Sequence, residues 1–259
     1  VQPTLAVAPA GWALVALLAG GFVAAIVVGC RAIPDTPADR RRFWLALVLL
    51  VVAPLAAFAV VAAIVVARGA PALDLSLLRS AARHQNAAAI GLAQAITSFG
   101  AVLVVLVMVT AAAGLLWRAR LRRRAAFVVV ATLLAMTASG LMKLAFARPR
   151  PEVFRQTPGS WSFPSGHTTS ATGLAVALVI ALWGTRWRVH ALVAGALYAV
   201  GVGLTRVYLG YHFPTDVAGG WALAFACGGV AWLSFGLRLD APERTGTTAV
   251  GRSGAEAQR

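Results

Sequence analysis

Eight residues in the second half of the chain have types and spacings suited to chemistry on a phosphoryl group. They fall in three short stretches, "KLAFARPRP" (143–151), "PSGH" (164–167) and "TRVYLGYHFPTD" (205–216). Lys143 is the only lysine among 23 basic residues, and Arg150 follows it after six residues. A chain that otherwise uses arginine throughout places here one compact, strongly hydrated charge. Ser165, Gly166 and His167 sit where an apolar helix begins, so free backbone N–H groups and the positive helix end make an anion site. Five residues separate Arg206 from His212, and three separate His212 from Asp216. A carboxylate at that distance holds one imidazole nitrogen and leaves the other free as nucleophile or base. Together Lys143, Arg150 and Arg206 offer three cations, beside two histidines, hydroxyl and backbone donors, and one carboxylate. Metal sites need more carboxylates or neutral histidines and fewer cations, so no metal and no cofactor are expected. The excess of donors suits a dianionic phosphate.

These groups must be positioned by membrane helices. The 259-residue chain is 60% hydrophobic and only 12% charged, about half the charged fraction of an ordinary soluble domain. Runs long enough to span a bilayer occur at Trp12 to Cys30, Phe43 to Ala67, Phe99 to Trp117, Ala126 to Phe146, His167 to Trp183, His190 to Thr205 and Val217 to Leu237. The expected fold is all-α, a polytopic membrane helix bundle of about seven transmembrane helices.

The formal net charge is +15, but the arginines are clustered. They gather at Arg31 with Arg40–Arg42, at Arg118–Arg124, at Arg186 with Arg188, and after Arg238. These are alternate connections, which the positive-inside rule assigns to the cytoplasm. The C-terminus is then cytoplasmic, and the three chemical stretches share the extracytoplasmic side. The basic face suits anionic lipid headgroups. Nucleic acid is not an expected partner, because no basic groove with interleaved aromatics is present.

Other features read more plainly. Cys30 and Cys227 lie at the end of the first span and within the last, and imply no disulfide. Val27-Val28-Gly29-Cys30 loosely resembles a lipoprotein processing site. No Lys or Arg precedes that apolar run, so an ordinary spanning helix is expected. In the outer connection after Arg68, Leu73, Leu77, Leu78, Ala81 and Ala82 recur near helical spacing. This suits an interfacial helix or a plain loop with a helical turn. His84 and His190 lack charged partners and read as surface residues. Residues 240–259 are polar, small and Gly-rich, as in a disordered tail.

Lys143 with Arg150-Pro151, Pro164-Ser165-Gly166-His167, and Arg206 with His212 and Asp216 resemble, in order and spacing, the three signatures of the type-2 phosphatidic acid phosphatase superfamily. Thr205 stands where that family usually has serine, which keeps a hydroxyl. The resemblance implies a six-helix core, so Trp12 to Cys30 is an extra N-terminal helix. The implied organisation is residues 1–42 as that helix with a basic cytoplasmic loop, 43–239 as a lipid phosphatase membrane domain, and 240–259 as the tail. It implies a phosphohistidine mechanism, with His212 as nucleophile, Asp216 orienting it and His167 as acid and then base. Lys143, Arg150, Ser165, Gly166 and Arg206 would bind the phosphoryl oxygens. The implied setting is a bacterial inner membrane. The implied substrate is a lipid phosphate such as undecaprenyl diphosphate, phosphatidylglycerol phosphate or phosphatidate. Arg148 and Arg155 are candidates for holding a second phosphate. The competing class is a transporter or flippase that binds anionic headgroups without cleaving them, against which no inverted repeat is visible.

Overall fold

The computed structural model describes residues 36–151 and 161–236, together with Gly20. The expected first span, Cys30, Arg155 and the C-terminal tail lie outside the described residues. Eight helices and no strands are found among those described: α1 (Pro37–Arg68), α2 (Ala72–Arg83), α3 (Ala87–Ser98), α4 (Val102–Arg118), α5 (Arg122–Phe146), α6 (Gly166–Leu182), α7 (Arg188–Tyr208) and α8 (Pro214–Phe235). Four of them, α1, α5, α7 and α8, are long and apolar enough to cross a membrane. A fifth candidate is α3 with α4, bent by 50°. The count of seven therefore rests on more than these helices supply.

Several of the helix ends have a local reason. Thr36 caps α1 by accepting from the Asp39 N–H at 3.2 Å, and Pro37 starts it where no N–H is needed. The domain boundary expected at Phe43 falls inside this helix. A π-helical turn at Val48–Val52 precedes Pro54, whose missing N–H interrupts the hydrogen-bond ladder. That turn presses against α8, where any side chain at Gly229 would overlap the Leu50 carbonyl. Asn86 caps α3 through Ala89 N–H at 2.9 Å. At the α3–α4 elbow the freed Phe99 carbonyl accepts from Tyr198 Oη at 2.7 Å. Gly236, in the left-handed region at φ 55°, closes α8.

The connection after Arg68 is helical twice over, as α2 and α3, rather than a plain loop. In α2 the inward residues are Asp74 and Leu78. α5, α6 and α8 pack together as the centre, with Phe127, Val128, Ala135, Leu174, Ala177, Leu223 and Ala224 buried. Leu103, Leu115, Leu144 and Leu197 are exposed, an apolar girdle suited to lipid. α6 has only 17 residues, yet its ends meet those of α5. Arg124 in the first turn of α5 donates to Ala181 O at 2.9 Å. At the other end, Lys143 Cε lies 3.5 Å from where a Cβ on Gly166 would stand.

The two ends of the bundle differ in kind. One end gathers the arginine-rich connections: Arg123 donates to Phe235 O, Arg124 to Ala181 O, and Phe43 meets Trp232 at 5.8 Å between ring centroids. The three chemical stretches converge at the opposite end.

Candidate active site

Backbone hydrogen bonds stitch the stretches together before any side chain is considered. Ser162 N–H donates to Arg148 O at 2.7 Å, joining the first stretch to the second. Ser165 N–H donates to Asp216 O at 3.0 Å, joining the second to the third. The Tyr211 and His212 N–H groups both donate to Arg206 O, at 3.0 and 3.2 Å, folding the link between α7 and α8 back over the end of α7. Glycine permits the close packing. A Cβ at Gly220 would stand 3.1 Å from Ser165 O, and one at Gly100 would stand 3.1 Å from His167 Cβ and 2.6 Å from Val202 Cγ1.

His212 is buried, and its Nδ1 lies 3.4 Å from Asp216 Oδ2 and 3.4 Å from Ser162 Oγ. Asp216 Oδ2 also accepts from the Phe213 N–H at 2.9 Å and from Ser162 Oγ. The carboxylate of α8's first turn is thus fixed facing Nδ1, and no protein group among those described takes Nε2. Burial holds the His212 imidazole down at about 3, against the hydrogen bond and charge of Asp216 and with help from Lys143 and Arg206. The ring is therefore neutral at physiological pH, as a nucleophile must be.

This displacement makes a stability prediction. Between about 3 and the ordinary value of 6.5, unfolded His212 binds a proton that the folded ring does not. Stability is then lost as pH falls through that window. A non-titrating His212→Asn variant escapes this loss. The Tm gap between the two proteins, measured in detergent, is expected to shift against wild type from pH 7 to pH 5. A gap independent of pH would contradict the placement of His212.

The cations surround the two rings. Lys143, Arg150 and Arg206 all act electrostatically on His167, and Lys143 and Arg206 act on His212. Lys143 Nζ donates to Trp161 O at 2.5 Å. Arg150 Nη1 donates to Tyr211 O at 3.0 Å. Arg206 is buried, stacks over Tyr211 at 4.3 Å, and donates to Thr97 Oγ1 at 3.0 Å, while its Nε has no partner. A buried guanidinium N–H without an acceptor is costly unless a ligand supplies one. His167, half-buried in the first turn of α6, has no hydrogen-bond partner among the described residues.

Some expectations need correction. Ser165 occupies the N-cap position, but its side chain caps nothing; its fully buried Oγ accepts from Thr168 Oγ1 at 2.9 Å. Thr205 Oγ1 turns back to Val202 O at 2.7 Å within its own helix. Arg148 is not available to a second phosphate. It is 1% exposed and bound to Asp74 at 3.0 Å and Asp216 at 2.5 Å. Asp74, Thr97, Ser162 and Thr215 were not singled out in the sequence. For Asp74 a signal existed, since no other acidic residue lies between Asp39 and Glu152. No cluster of three His, Cys, Asp or Glu able to hold a metal occurs among the described residues.

Residues 124–240 match the family model of the PAP2 superfamily. Over that segment, a little under half of its length, the chain is similar to the PAP2 superfamily. The three stretches all fall within the matched segment, and α5 to α8 are its helices. The chain is 30% identical over 123 residues to an undecaprenyl-diphosphatase of Sulfolobus acidocaldarius, covering 45% of this chain and 54% of that protein. It is 36% identical over 115 residues to the decaprenylphosphoryl-5-phosphoribose phosphatase of Mycolicibacterium smegmatis, covering 42% and 59%. The chain thus spans a little over half the length of these relatives. The crystal structure of a transmembrane PAP2-type phosphatidylglycerolphosphate phosphatase from Bacillus subtilis superposes with a TM-score of 0.64 at 22% identity. That match covers 71% of this chain and 94% of the other, and it shows that the two share a fold.

Proposed function

We propose that this protein is a metal-independent lipid phosphatase, acting on a phosphomonoester or diphosphate at the extracytoplasmic face through a phosphohistidine. The observation that carries the reading is the buried His212, neutral, with Nδ1 toward Asp216 and Nε2 untaken, in the field of Lys143 and Arg206, while Lys143, Arg150 and Arg206 act together on His167.

In this reading the phosphoryl group sits among the three cations and the N-terminus of α6. Lys143, Arg150, Ser165, Gly166 and Arg206 are its binding set, and the unpartnered Arg206 Nε–H supplies one donor. His212 Nε2 attacks phosphorus in line, forming a P–N bond as the P–O bond to the lipid breaks. The leaving oxygen takes a proton from His167. His167 then takes a proton from water, whose oxygen attacks phosphorus and breaks the P–N bond, releasing phosphate and restoring His212. Asp216, accepting from Nδ1–H, steadies the positive charge on the ring between the two steps.

The position of the site at one end of the bundle suits a substrate whose tail stays in lipid. The arginine clusters at the opposite end support the outward orientation. Two relatives named for polyprenyl-linked phosphates make undecaprenyl diphosphate the first substrate to test, beside phosphatidylglycerol phosphate and phosphatidate. Arg148 gives no support to a second phosphate, since its guanidinium is committed to carboxylates.

The test is phosphate release by right-side-out membrane vesicles given each lipid externally, with and without EDTA. Release from the outside, unaffected by chelation, is expected. Loss of turnover on chelation, restored by a divalent ion, would overturn the metal-free mechanism. Binding without release would favour a transporter.

A further inference from the structure

The mechanism above uses only one member of a buried ionic cluster. Arg148, in the turn after α5, lies between two carboxylates from different helices, Asp74 of α2 and Asp216 of α8. All three are at most 1% exposed. We propose that Asp74 and Arg148 are positioning residues for the phosphoryl transfer: through Arg148, α2 holds Asp216 with one oxygen turned to His212. The proposal rests on the reading of His212 as the nucleophile.

The geometry assigns each oxygen of Asp216 a separate task. Arg148 Nη1 takes Oδ1 at 2.5 Å, so Oδ2 is the oxygen left to face His212 Nδ1. Arg148 Nη2 donates to Asp74 Oδ2 at 3.0 Å and to Gly69 O at 2.6 Å, which ties the guanidinium to the start of α2. Thr215 closes the circuit: its N–H donates to Asp74 Oδ1 at 3.0 Å and its hydroxyl to Asp74 Oδ2 at 2.5 Å, while Arg148 Nη1 donates to Thr215 Oγ1 at 2.8 Å. The Phe213 ring lies 4.1 Å from the guanidinium carbon and covers its face.

Charge explains why a second carboxylate is present. Arg148 alone against Asp216 would form a neutral pair, and the carboxylate would be a poor counter-ion for a ring that becomes cationic on phosphorylation. Asp74 shares the guanidinium and leaves the cluster at a net charge of −1. Burying three ions only to fasten α2 would be a costly choice, because apolar contacts of similar volume usually stabilise as well or better. A role in directing Asp216 accounts for the ions.

Asp74→Asn keeps the side chain's volume and one acceptor for the Thr215 N–H but removes the charge. Outer partners that orient a reacting group typically matter by about 10–100-fold, and kcat is expected to fall within that range. KM should stay within about twofold, since no contact to substrate is lost. In an Asp216→Asn background the same change should cost little further, because its target is already gone. Nitrogen NMR of protein labelled at its four histidines provides a readout independent of turnover. The His212 ring is expected to hold its proton on Nδ1 in wild type and to shift toward the Nε2–H tautomer in Asp74→Asn. Arg148→Lys, which keeps the charge but cannot bridge two carboxylates, carries the same comparison if Asp74→Asn does not fold. Unchanged kcat, an equal loss in the Asp216→Asn background, or unmoved His212 signals would each overturn the proposal. A wild type that releases no phosphate would instead sink the phosphatase reading, and the NMR comparison would still decide the role of Asp74.

Discussion

Replacing His212 with alanine is expected to stop turnover on every phosphate ester, by at least about 10⁴-fold, as removal of a covalent nucleophile does elsewhere. The loss should not depend on the leaving group. An activated aryl phosphate needs no proton on departure, but it still needs an atom to attack phosphorus. Folding should survive, because the neighbours of the ring have other partners: Asp216 keeps Arg148, Ser162 and the Phe213 N–H. The measurement is phosphate release from a lipid phosphate and from nitrophenyl phosphate by monodisperse protein. Residual activity that recovers on the aryl substrate would show that His212 is the acid and not the nucleophile.

His167→Ala is the second large effect and has a different signature. On a lipid substrate the loss of the general acid should cost about 10²–10⁴-fold. On nitrophenyl phosphate the first step should recover, because nitrophenolate leaves unprotonated. The second step should not, since water still lacks its base. Rapid mixing is therefore expected to show a burst of about one nitrophenolate per active site, followed by slow turnover. Equal losses on the lipid and aryl substrates, without a burst, would remove His167 from the acid role.

Much of this site was legible in the sequence because its residues are of types that membrane segments otherwise avoid. One lysine, two histidines and a carboxylate beside arginines at helix ends cannot be accounted for by lipid contact. Their spacings placed His212 against Asp216 one helical turn away, and the structure has them at 3.4 Å. The helical cores of α1, α5, α7 and α8 followed from apolar length, with ends displaced by a few residues. What was not legible depends on the third dimension. Arg148 carries the same side chain whether it faces a headgroup or two buried carboxylates, and only the approach of α2 to α8 decides between them. Thr97 reads as an ordinary helical residue until the α3–α4 elbow brings it to Arg206. The π-helical turn in α1 is paired with Gly229, far along the chain, and neither residue announces the other.

The central claim is that phosphate passes through His212, and it can be tested by trapping the intermediate. His167→Ala protein mixed with labelled nitrophenyl phosphate should be quenched in alkali, digested and mapped for acid-labile phosphate. The account predicts label on the peptide carrying His212, at about one per active site, and none in His212→Ala. Label on His167, or steady turnover with no protein-bound phosphate, would contradict it.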